Sequence, residues 1–479
     1  MRAQMYTTQA GQRNQLNMKT SGMQWWTLVA CACGYFMVIL DTTVVNVALP
    51  AIQRALGTNI SDLQWVTASY TLAFASLLLM TGTLSDRYGS KRIFLAGLLV
   101  FTLSSALCGT APMLSVFLIA RVFQGIGAAL LVPASLAIIS NAYPDGRKRA
   151  SAIGVWAMIA AIAASAGPVI GGLLVEDAGW RTIFFINLPV GVIGMVITWR
   201  FVTEAGRSAH GSLDIWGQMS AILALAALTF ALIEGEPMGW NASPVLLAFL
   251  LCVASGIAFV LIELRSASPM LPLTLFRSAT FSATTSVGLL LNFSFYGLLF
   301  LLSIFYQQAK GYSAWETGLH LLPLTLINVA AMPLAGQLTA RFGPRVPVLG
   351  GLALCAAGIF AYLSIGESLG YWLVVVFFLA IGFGGSSAVP ALTAALLGAV
   401  ARRYSGIASG VLNASRQAGG TFGVAILGSI FSSMSGSAAL TGMHIALGVA
   451  GVVLLLSCAI TLLWIPSRFG KAKEEGEAV

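Results

Sequence analysis

The chain has 479 residues, of which 58% are hydrophobic and only 9% are charged. Soluble domains carry charge at about a quarter of their positions, so this composition excludes a soluble protein and indicates a membrane protein. A spanning helix needs about 20 apolar residues, so the length allows about twelve to fourteen spans. The formal net charge of +9 would suit a nucleic-acid partner only if the basic residues were clustered.

Apolar runs bounded by charged residues, Pro or Gly predict fourteen membrane-spanning helices. Residues 1–23 are polar, and the first apolar run contains Asp41 and continues to Pro50. We therefore expect a retained first span and not a cleaved signal peptide. In chain order the predicted spans are 25–49, 63–82, 93–110, 113–139, 150–175, 182–202, 214–233, 244–264, 279–305, 315–337, 346–366, 371–396, 405–433 and 441–466.

The basic residues separate the two sides of this arrangement. Twenty of the 25 Lys and Arg residues fall in the two tails and the even-numbered connections. The other side holds only Arg54, Arg181 and Lys310, while Arg121 and Arg416 lie within spans. Basic residues next to spans remain in the cytoplasm during insertion, so we expect both termini to be cytoplasmic. The positive charge is a topology signal, and no nucleic-acid partner is expected.

An internal repeat divides the chain into two parts. Residues 82–89 (GTLSDRYG) recur as residues 336–343 (GQLTARFG), and a weaker match aligns the glycines of 167–172 with those of 423–428. The first copy follows span 2 and the second follows span 10, whereas adjacent six-helix bundles would separate the copies by six spans. Two helices are therefore inserted. We expect cytoplasmic tails at 1–24 and 467–479, six-helix bundles at 25–202 and 279–466, and the inserted helices with their linkers at 203–278.

Five segments match known family signatures. They are 40–50 (LDTTVVNVALP), 82–92 (GTLSDRYGSKR), 121–129 (RVFQGIGAA), 167–172 (GPVIGG) and 180–189 (WRTIFFINLP). On these segments the chain resembles the major facilitator superfamily and, within it, the fourteen-span drug:proton antiporter branch. The resemblance covers essentially the whole chain. It implies the major facilitator fold, an all-α membrane protein whose two six-helix bundles alternately expose a central cavity.

The resemblance also implies a cytoplasmic gate in the loop after span 2. Gly82 and Gly89 would permit a tight reversal of the chain there, and Asp86 would cap a helix start or pair with a nearby arginine. Arg87 and Arg92 would belong to the same gate or would simply enforce topology. The second copy of the motif has alanine in place of Asp86, so the two halves are not equivalent gates.

Span 5 carries the signature that the resemblance associates with antiporters. Pro168 removes a backbone donor and bends a helix, while Gly167, Gly171 and Gly172 allow another helix to approach closely. This kink would seal the outer side or act as a hinge. The alternative is ordinary glycine-rich packing.

Asp41 is the candidate proton-coupling residue. At about 1.5 Å per residue it lies roughly 24 Å into the first span. An ionised carboxylate at such a depth costs several kcal/mol, so it must face a cavity, find a partner or become neutral. A proton-coupled carrier needs a group of this kind. Thr42 and Asn46, one turn apart, add polarity to the same stretch. The alternative role is a polar clamp between helices.

Two arginines lie within predicted spans. Arg121 is followed by Gln124 in span 4, and its guanidinium needs an acid or carbonyl partner because it cannot lose its proton. The resemblance implies that Arg121 lies near the polar cluster of span 1 and tunes the proton site; a fixed structural donor is the alternative. We assign Arg416 to the substrate cavity or to tuning of the proton site. Aromatic residues such as Trp156 and Tyr296 would line a cavity for lipophilic cations or pack in the interior.

These features together predict a proton-driven exporter of hydrophobic, cationic drugs or toxic compounds in the inner membrane. A single deep carboxylate suits one proton or one monovalent cation at a time. The expected partners are protons, the lipid bilayer and a hydrophobic small molecule; no cofactor or metal is expected, because the chain has no phosphate-binding loop and no Cys-x-x-Cys pair. The sequence does not identify a periplasmic adaptor.

Two other classes of function stay open. The nearer one is a carrier of the same fold that exports a native metabolite, siderophore or amino acid. The more remote one is an intramembrane enzyme or a sensor. Three scattered histidines at positions 210, 320 and 444 do not supply catalytic pairs, and the connections are too short for a soluble sensor domain. We therefore expect no enzymatic activity.

Overall fold

The computed structural model describes residues 2–204, 214–266, 269–363, 370–401, 404–434 and 439–467, with the side chains of the first helix described from Gly22 onward. The predicted tail at 467–479 lies outside the described residues from position 468. The helices are α1 (Arg2–Leu56), α2 (Ile60–Tyr88), α3 (Ser90–Thr110), α4 (Leu114–Ala142), α5 (Gly146–Ala178), α6 (Thr182–Phe185), α7 (Asn187–Phe201), α8 (Ile215–Met238), α9 (Ser243–Arg265), α10 (Ala279–Ile304), α11 (Ala314–Phe342), α12 (Arg345–Leu363), α13 (Tyr371–Gly398), α14 (Ser405–Ser432) and α15 (Ala439–Trp464).

The predicted count of fourteen long helices is confirmed. Within the described ranges thirteen segments are long and apolar enough to cross a membrane, with α6 and α7 together forming the sixth, Thr182–Phe201. The remaining long helix is α14, which contains Asn413, Arg416 and Gln417. It packs among α2, α8, α10 and α15, so protein and not lipid surrounds most of its polar side chains.

The first helix is longer than the predicted span. We expected it to end before Pro50, because proline usually interrupts a helix. Instead α1 continues through Pro50 to Leu56. Leu49 and Ile52, on either side of the proline, are fully buried in the main hydrophobic core. Tertiary packing therefore holds the last two turns of α1 in a helical conformation.

The helices form two six-helix bundles. In the first, α1 packs against α5 and α7, while α2 and α3 pack against α4. In the second, α10 packs against α14 and α15, while α11 and α12 pack against α13. This arrangement confirms the two bundles predicted from the repeat and agrees with the major facilitator fold that the resemblance implies.

The repeated motif adopts the same turn in both bundles. Gly89 ends α2 with φ +99° and Gly343 ends α11 with φ +78°. The N–H of Gly89 donates to the carbonyl oxygen of Ser85, and that of Gly343 donates to the carbonyl oxygen of Thr339. Positive φ is accessible to glycine at little cost, which explains why both copies have glycine at this position.

The two inserted helices, α8 and α9, pack against each other, and α8 covers the seam between α2 and α14. The Trp65 indole donates to Glu234 Oε1 (2.7 Å), and Gln218 Nε2 donates to the Ser76 carbonyl oxygen (2.6 Å). On the other side of the seam, Ser429 Oγ donates to the Leu232 carbonyl oxygen (3.1 Å). The inserted pair therefore contacts both bundles, and α9 presents mostly exposed apolar side chains, as expected for a lipid-facing helix.

Candidate functional site

Asp41, Arg121 and Gln124 form a closed polar cluster between α1 and α4. Arg121 Nη1 donates to Asp41 Oδ2, and Gln124 Nε2 donates to Asp41 Oδ1 (2.8 Å). The same Nη1 also donates to Gln124 Oε1 (2.8 Å), and Arg121 Nε donates to the Val66 carbonyl oxygen (3.2 Å). Asp41 has 0% of its surface exposed. Both carboxylate oxygens are thus occupied and sealed from water in this conformation.

A second layer of residues holds this cluster in place. Ser105 of α3 accepts hydrogen bonds from Gln124 Nε2 (3.2 Å) and Asn187 Nδ2 (3.0 Å), and its own hydroxyl donates to the Phe184 carbonyl oxygen (2.8 Å). The Arg121 guanidinium lies over the Tyr70 ring at 4.4 Å from the centroid. Cation–π contact and a hydrogen-bonded ring of polar groups both favour one orientation of the arginine.

Sequence reasoning missed Ser105 and Tyr70 as parts of this site. Ser105 belongs to a pair of serines in the middle of an apolar span, which is a detectable signal of an interhelical hydrogen bond. Nothing about the position of Tyr70 distinguishes it from other aromatic residues in the chain.

Thr42 and Asn46 are buried but do not touch the Asp41 carboxylate. The Thr42 hydroxyl donates to the Val38 carbonyl oxygen (2.8 Å), and Asn46 Nδ2 donates to the Thr42 carbonyl oxygen (3.0 Å). Both bonds lie within α1. The Oδ1 atom of Asn46 is buried and has no hydrogen-bond partner among the described residues. The structure therefore brings together Asp41, Arg121 and Gln124. Thr42 and Asn46 form their hydrogen bonds apart from this cluster.

The predicted loop at 82–92 is largely helical, so two of our expectations for it are wrong. Gly82 lies inside α2, which continues to Tyr88, and the chain reverses at Gly89 alone. Asp86 lies in the last turn of α2, where no free helix N–H is available to a cap. It is exposed and forms no hydrogen bond or ion pair with a described residue. The reversal predicted at Gly82 is wrong because glycine indicates a turn only where the backbone adopts a positive φ, as it does at Gly89.

The partner of this motif is Glu204, which follows α7. Its Oε1 accepts from the backbone N–H of Lys91 (3.1 Å), and its Oε2 lies 4.0 Å from Arg92 Nε. A Cβ on Gly89 would lie 2.5 Å from a Glu204 carboxylate oxygen. Arg87 is exposed, with its guanidinium near the Tyr88 ring. Glu204 therefore connects the start of α3 to the end of the first bundle. The residues that form this contact lie far apart in the sequence.

The glycine motif of α5 lies at two helix contacts. A Cβ on Gly171 would lie 2.9 Å from the Val44 carbonyl oxygen of α1, and one on Gly172 would lie 2.6 Å from the Ala314 carbonyl oxygen of α11. Gly167 approaches Thr43, and the Pro168 carbonyl approaches Gly318 of α11. The helix continues through Pro168 to Ala178. The motif thus allows close backbone approach both within the first bundle and across to the second.

The two bundles are sealed at the end where α1 finishes. Gln308 Nε2, just after α10, donates to Gln53 Oε1 (2.5 Å), and Gln307 Nε2 donates to the Val47 carbonyl oxygen (2.9 Å). The Glu176 carboxylate accepts from the backbone N–H of Trp315 (3.1 Å). We call this end the closed face.

Away from the closed face, the hydrogen bonds between α5 and α11 come to an end. Their last hydrogen-bonded pair is Ser165 with Thr325, whose hydroxyls each donate to the other residue's carbonyl oxygen (2.6 and 3.1 Å). Further along, Gly154 of α5 and Gly336 of α11 have no neighbouring atom within 4 Å of a Cβ position. By contrast α2 and α14 stay together, since Leu79 still contacts Gly410. Among the described residues, the hydrogen bonds between α5 and α11 therefore lie between the Ser165–Thr325 pair and the closed face.

Arg416 lies on α14, where it faces α10 and the first bundle. Its side chain packs against Gly288 of α10, with Cγ 3.3 Å from a Cβ position there. It forms no ion pair with a described residue, and its buried Nε atom has no hydrogen-bond partner among them. The hydroxyls of Tyr35 and Tyr296 lie within electrostatic range of its charge. The Tyr35 ring stacks on Trp156 with centroids 3.8 Å apart.

Comparison with known proteins supports this architecture. Residues 31–424 match the model of the Major Facilitator Superfamily. The chain is 39% identical over 408 residues to a methylenomycin A resistance protein of Streptomyces coelicolor, covering 85% of this chain and 86% of the relative. It is 39% identical over 407 residues to the multidrug resistance protein Stp of Mycobacterium tuberculosis, covering 85% of this chain and 76% of that protein.

Solved structures show the same fold. A bacterial homologue of the human lysosomal transporter Spinster, in an inward-facing and occupied conformation, superimposes with a TM-score of 0.65. The two chains are 18% identical, and the match covers 93% of this chain and 98% of the other.

Proposed function

We propose, from the premise that this chain belongs to the major facilitator superfamily, that it exports hydrophobic small molecules from the cell in exchange for protons. It is a multi-pass membrane transporter and not an enzyme. The names of its relatives, which are resistance and efflux proteins, support drugs or toxic compounds as its substrates. We place it in the inner membrane with both termini in the cytoplasm, as the distribution of basic residues predicts.

The observation that carries the proposal is the competition for one carboxylate. Asp41 and Arg121 form a buried ion pair, and a proton on Asp41 would compete with Arg121 by removing the charge that holds the arginine. Breaking a buried ion pair leaves an uncompensated charge, which costs about 3–5 kcal/mol. Proton binding would therefore destabilise this packing of α1 against α4 and favour a different conformation. A ligand shifts a conformational equilibrium only through such differential affinity.

Alternating access also requires a second conformation, in which the closed face is open. Because Asp41 is sealed from water here, its proton would exchange after the contacts at Gln53 and Gln308 separate. Protonation from outside would remove the ion pair with Arg121, and release of the proton to the cytoplasm would restore it. Coupling of this kind acts through conformation, so it does not require a substrate of one particular charge.

The membrane potential can drive such a cycle. At a potential of roughly 150 mV, one positive charge moving inward supplies about 3.5 kcal/mol, which corresponds to a gradient of about 300-fold. The expectation of a cationic substrate rested on a free carboxylate at Asp41. In this conformation Arg121 and Gln124 occupy that carboxylate, so a cationic substrate would have to displace them.

The test uses Asp41→Asn in proteoliposomes with an imposed proton gradient. The dye is whichever of ethidium, a cation, and rhodamine 110, which carries a carboxylate, the wild-type protein exports. Asp41→Asn should insert normally, because the amide oxygen still accepts a hydrogen bond from Arg121, but proton-driven export should be lost. Asp41→Glu should retain part of it.

Asp145→Asn is the matched control, because Asp145 caps α5 and asparagine caps a helix equally well. Export against the dye gradient by Asp41→Asn would refute the coupling role and leave Asp41 as an interhelical clamp. The rival function, export of a native metabolite, siderophore or amino acid, predicts that labelled compounds of those classes compete with the dye in the same vesicles.

A further inference from the structure

The charges in the middle of the described bundle do not cancel. Asp41 and Arg121 neutralise each other, which leaves Arg416 as the third charged side chain at this depth. The other acidic residues of the described chain lie within two turns of a helix end or between helices. The space between the two bundles therefore carries one uncompensated positive charge.

An unpaired arginine is costly in a membrane unless it faces water or a counter-ion. Arg416 is half-buried, and its buried Nε has an unused hydrogen-bond donor. The guanidinium has a fork of donors whose spacing matches a carboxylate. The surroundings of Arg416 thus leave it available to an anionic ligand.

The neighbours of Arg416 suit the rest of such a ligand. Tyr35 and Trp156 form a stacked aromatic pair from the first bundle, and Tyr296 approaches from α10, where its ring contacts Gly420 of α14. Aromatic surfaces bind flat apolar molecules, while the tyrosine hydroxyls can bond to a polar substituent. We expect a small molecule to reach Arg416 from the face where α1 begins, beyond the last α5–α11 hydrogen bonds at Ser165 and Thr325.

We propose that Arg416 is the anion-binding group of the transport cavity and that the exported compounds are apolar molecules bearing a carboxylate or a phenolate. This inference rests on the export function proposed above and specifies its substrate class. The acidic group pairs with the guanidinium, and the apolar body lies between the aromatic residues of the two bundles.

The test compares two dyes with the same aromatic core, rhodamine 110, which has a free carboxylate, and rhodamine 123, its methyl ester. Binding to the purified full-length protein is measured by fluorescence polarisation. The wild type should bind the acid at least about tenfold more tightly than the ester, since a hydrogen bond to a charged group contributes about that factor. Arg416→Gln should remove this preference by weakening the acid and not the ester, and Arg416→Lys should keep part of it. Arg265→Gln, which removes an exposed arginine of α9, is the control.

Asp41→Asn separates this inference from the proposed function. It should fail to export the carboxylate dye but should still bind the acid more tightly than the ester, because Arg416 is unchanged in this variant. Equal affinity of the wild type for acid and ester would overturn the anion-binding role. So would an equal loss of both dyes in folded, monodisperse Arg416→Gln. Either result leaves the test of Asp41 unaffected.

Discussion

Arg121 and Asp41, 80 residues apart in the chain, form an ion pair of 2.5 Å between α4 and α1 with both side chains buried. Each residue satisfies the main requirement of the other, since the carboxylate needs a counter-ion at this depth and the guanidinium cannot lose its charge. The remaining bonds of Arg121 go to Val66 and Gln124. Neutralising either residue should therefore leave the other as an unpaired buried charge, which lowers the stability of the protein.

The ion pair makes a prediction about stability. Arg121→Gln leaves a buried carboxylate without its cation and should lower the free energy of unfolding by about 3–5 kcal/mol. The double variant Asp41→Asn/Arg121→Gln has two neutral amides and should recover most of that loss, while both variants should lack proton-driven export. Thermal unfolding in detergent measures the effect as a double-mutant cycle. Additive losses in the double variant would show that the two side chains do not interact.

The closed face can be locked covalently. Gln53→Cys with Gln308→Cys places two thiols where the glutamine side chains now form a hydrogen bond. Oxidation, or a short bifunctional thiol reagent, should join them and stop transport, because the bundles could no longer separate at this face. A reducing agent should restore transport in the oxidised sample. The two single-cysteine variants control for the native cysteines, and undiminished transport after complete cross-linking would contradict the idea that this face opens.

Gly172 should control how tightly the closed face seals. Gly172→Ala places a Cβ 2.6 Å from the Ala314 carbonyl oxygen of the other bundle. Such overpacking should destabilise the closed face by about 1–3 kcal/mol, and the cross-link between positions 53 and 308 should form more slowly. Gly154→Ala is the matched control, because it changes the same helix where no atom lies within 4 Å. Equal cross-linking rates in the two variants would exclude a sealing role for Gly172.

Gly89 and Gly82 belong to one motif but should respond differently to alanine. Gly89 has φ +99° and faces the Glu204 carboxylate, so Gly89→Ala should cost about 1–3 kcal/mol in stability and reduce transport. Gly82 lies within α2 with open space beside it, so Gly82→Ala should be neutral or stabilising by up to about 1 kcal/mol. Thermal unfolding and dye export in vesicles measure both effects. Similar losses in the two variants would mean that the motif acts through something other than this turn.

The helix count was predictable because apolar length and basic connections are local signals. The remaining long helix, α14, is less apolar than the other described spans, but it was predicted from its apolar run in the same way, and it aligns with span 5 in the repeat. The extension of α1 past Pro50 could not be predicted, since it depends on packing around Leu49 and Ile52. The turn at Gly82 was wrongly predicted for a related reason, because glycine at a helix end and glycine within a helix look alike in sequence.

Part of the site was also predictable. Isolated charges in apolar runs mark Asp41, Arg121 and Arg416, because a membrane makes any charge expensive. Their grouping was not predictable. The ion pair removes Asp41 and Arg121 from the free charges of the cavity, while Arg416 finds no described partner. In the sequence, the single carboxylate of Asp41 suggested a cation site, whereas in the folded chain the unpaired Nε of Arg416 suggests an anion site.

The sequence alone determined the membrane class, the number of spans, the repeat and the family, since these follow from composition, periodicity and motifs read along the chain. The tertiary structure alone decided which charges neutralise each other, which face is closed and which glycine makes the turn. Electrostatic interactions and close packing depend on distances between helices that are remote in sequence, and only the folded chain sets those distances.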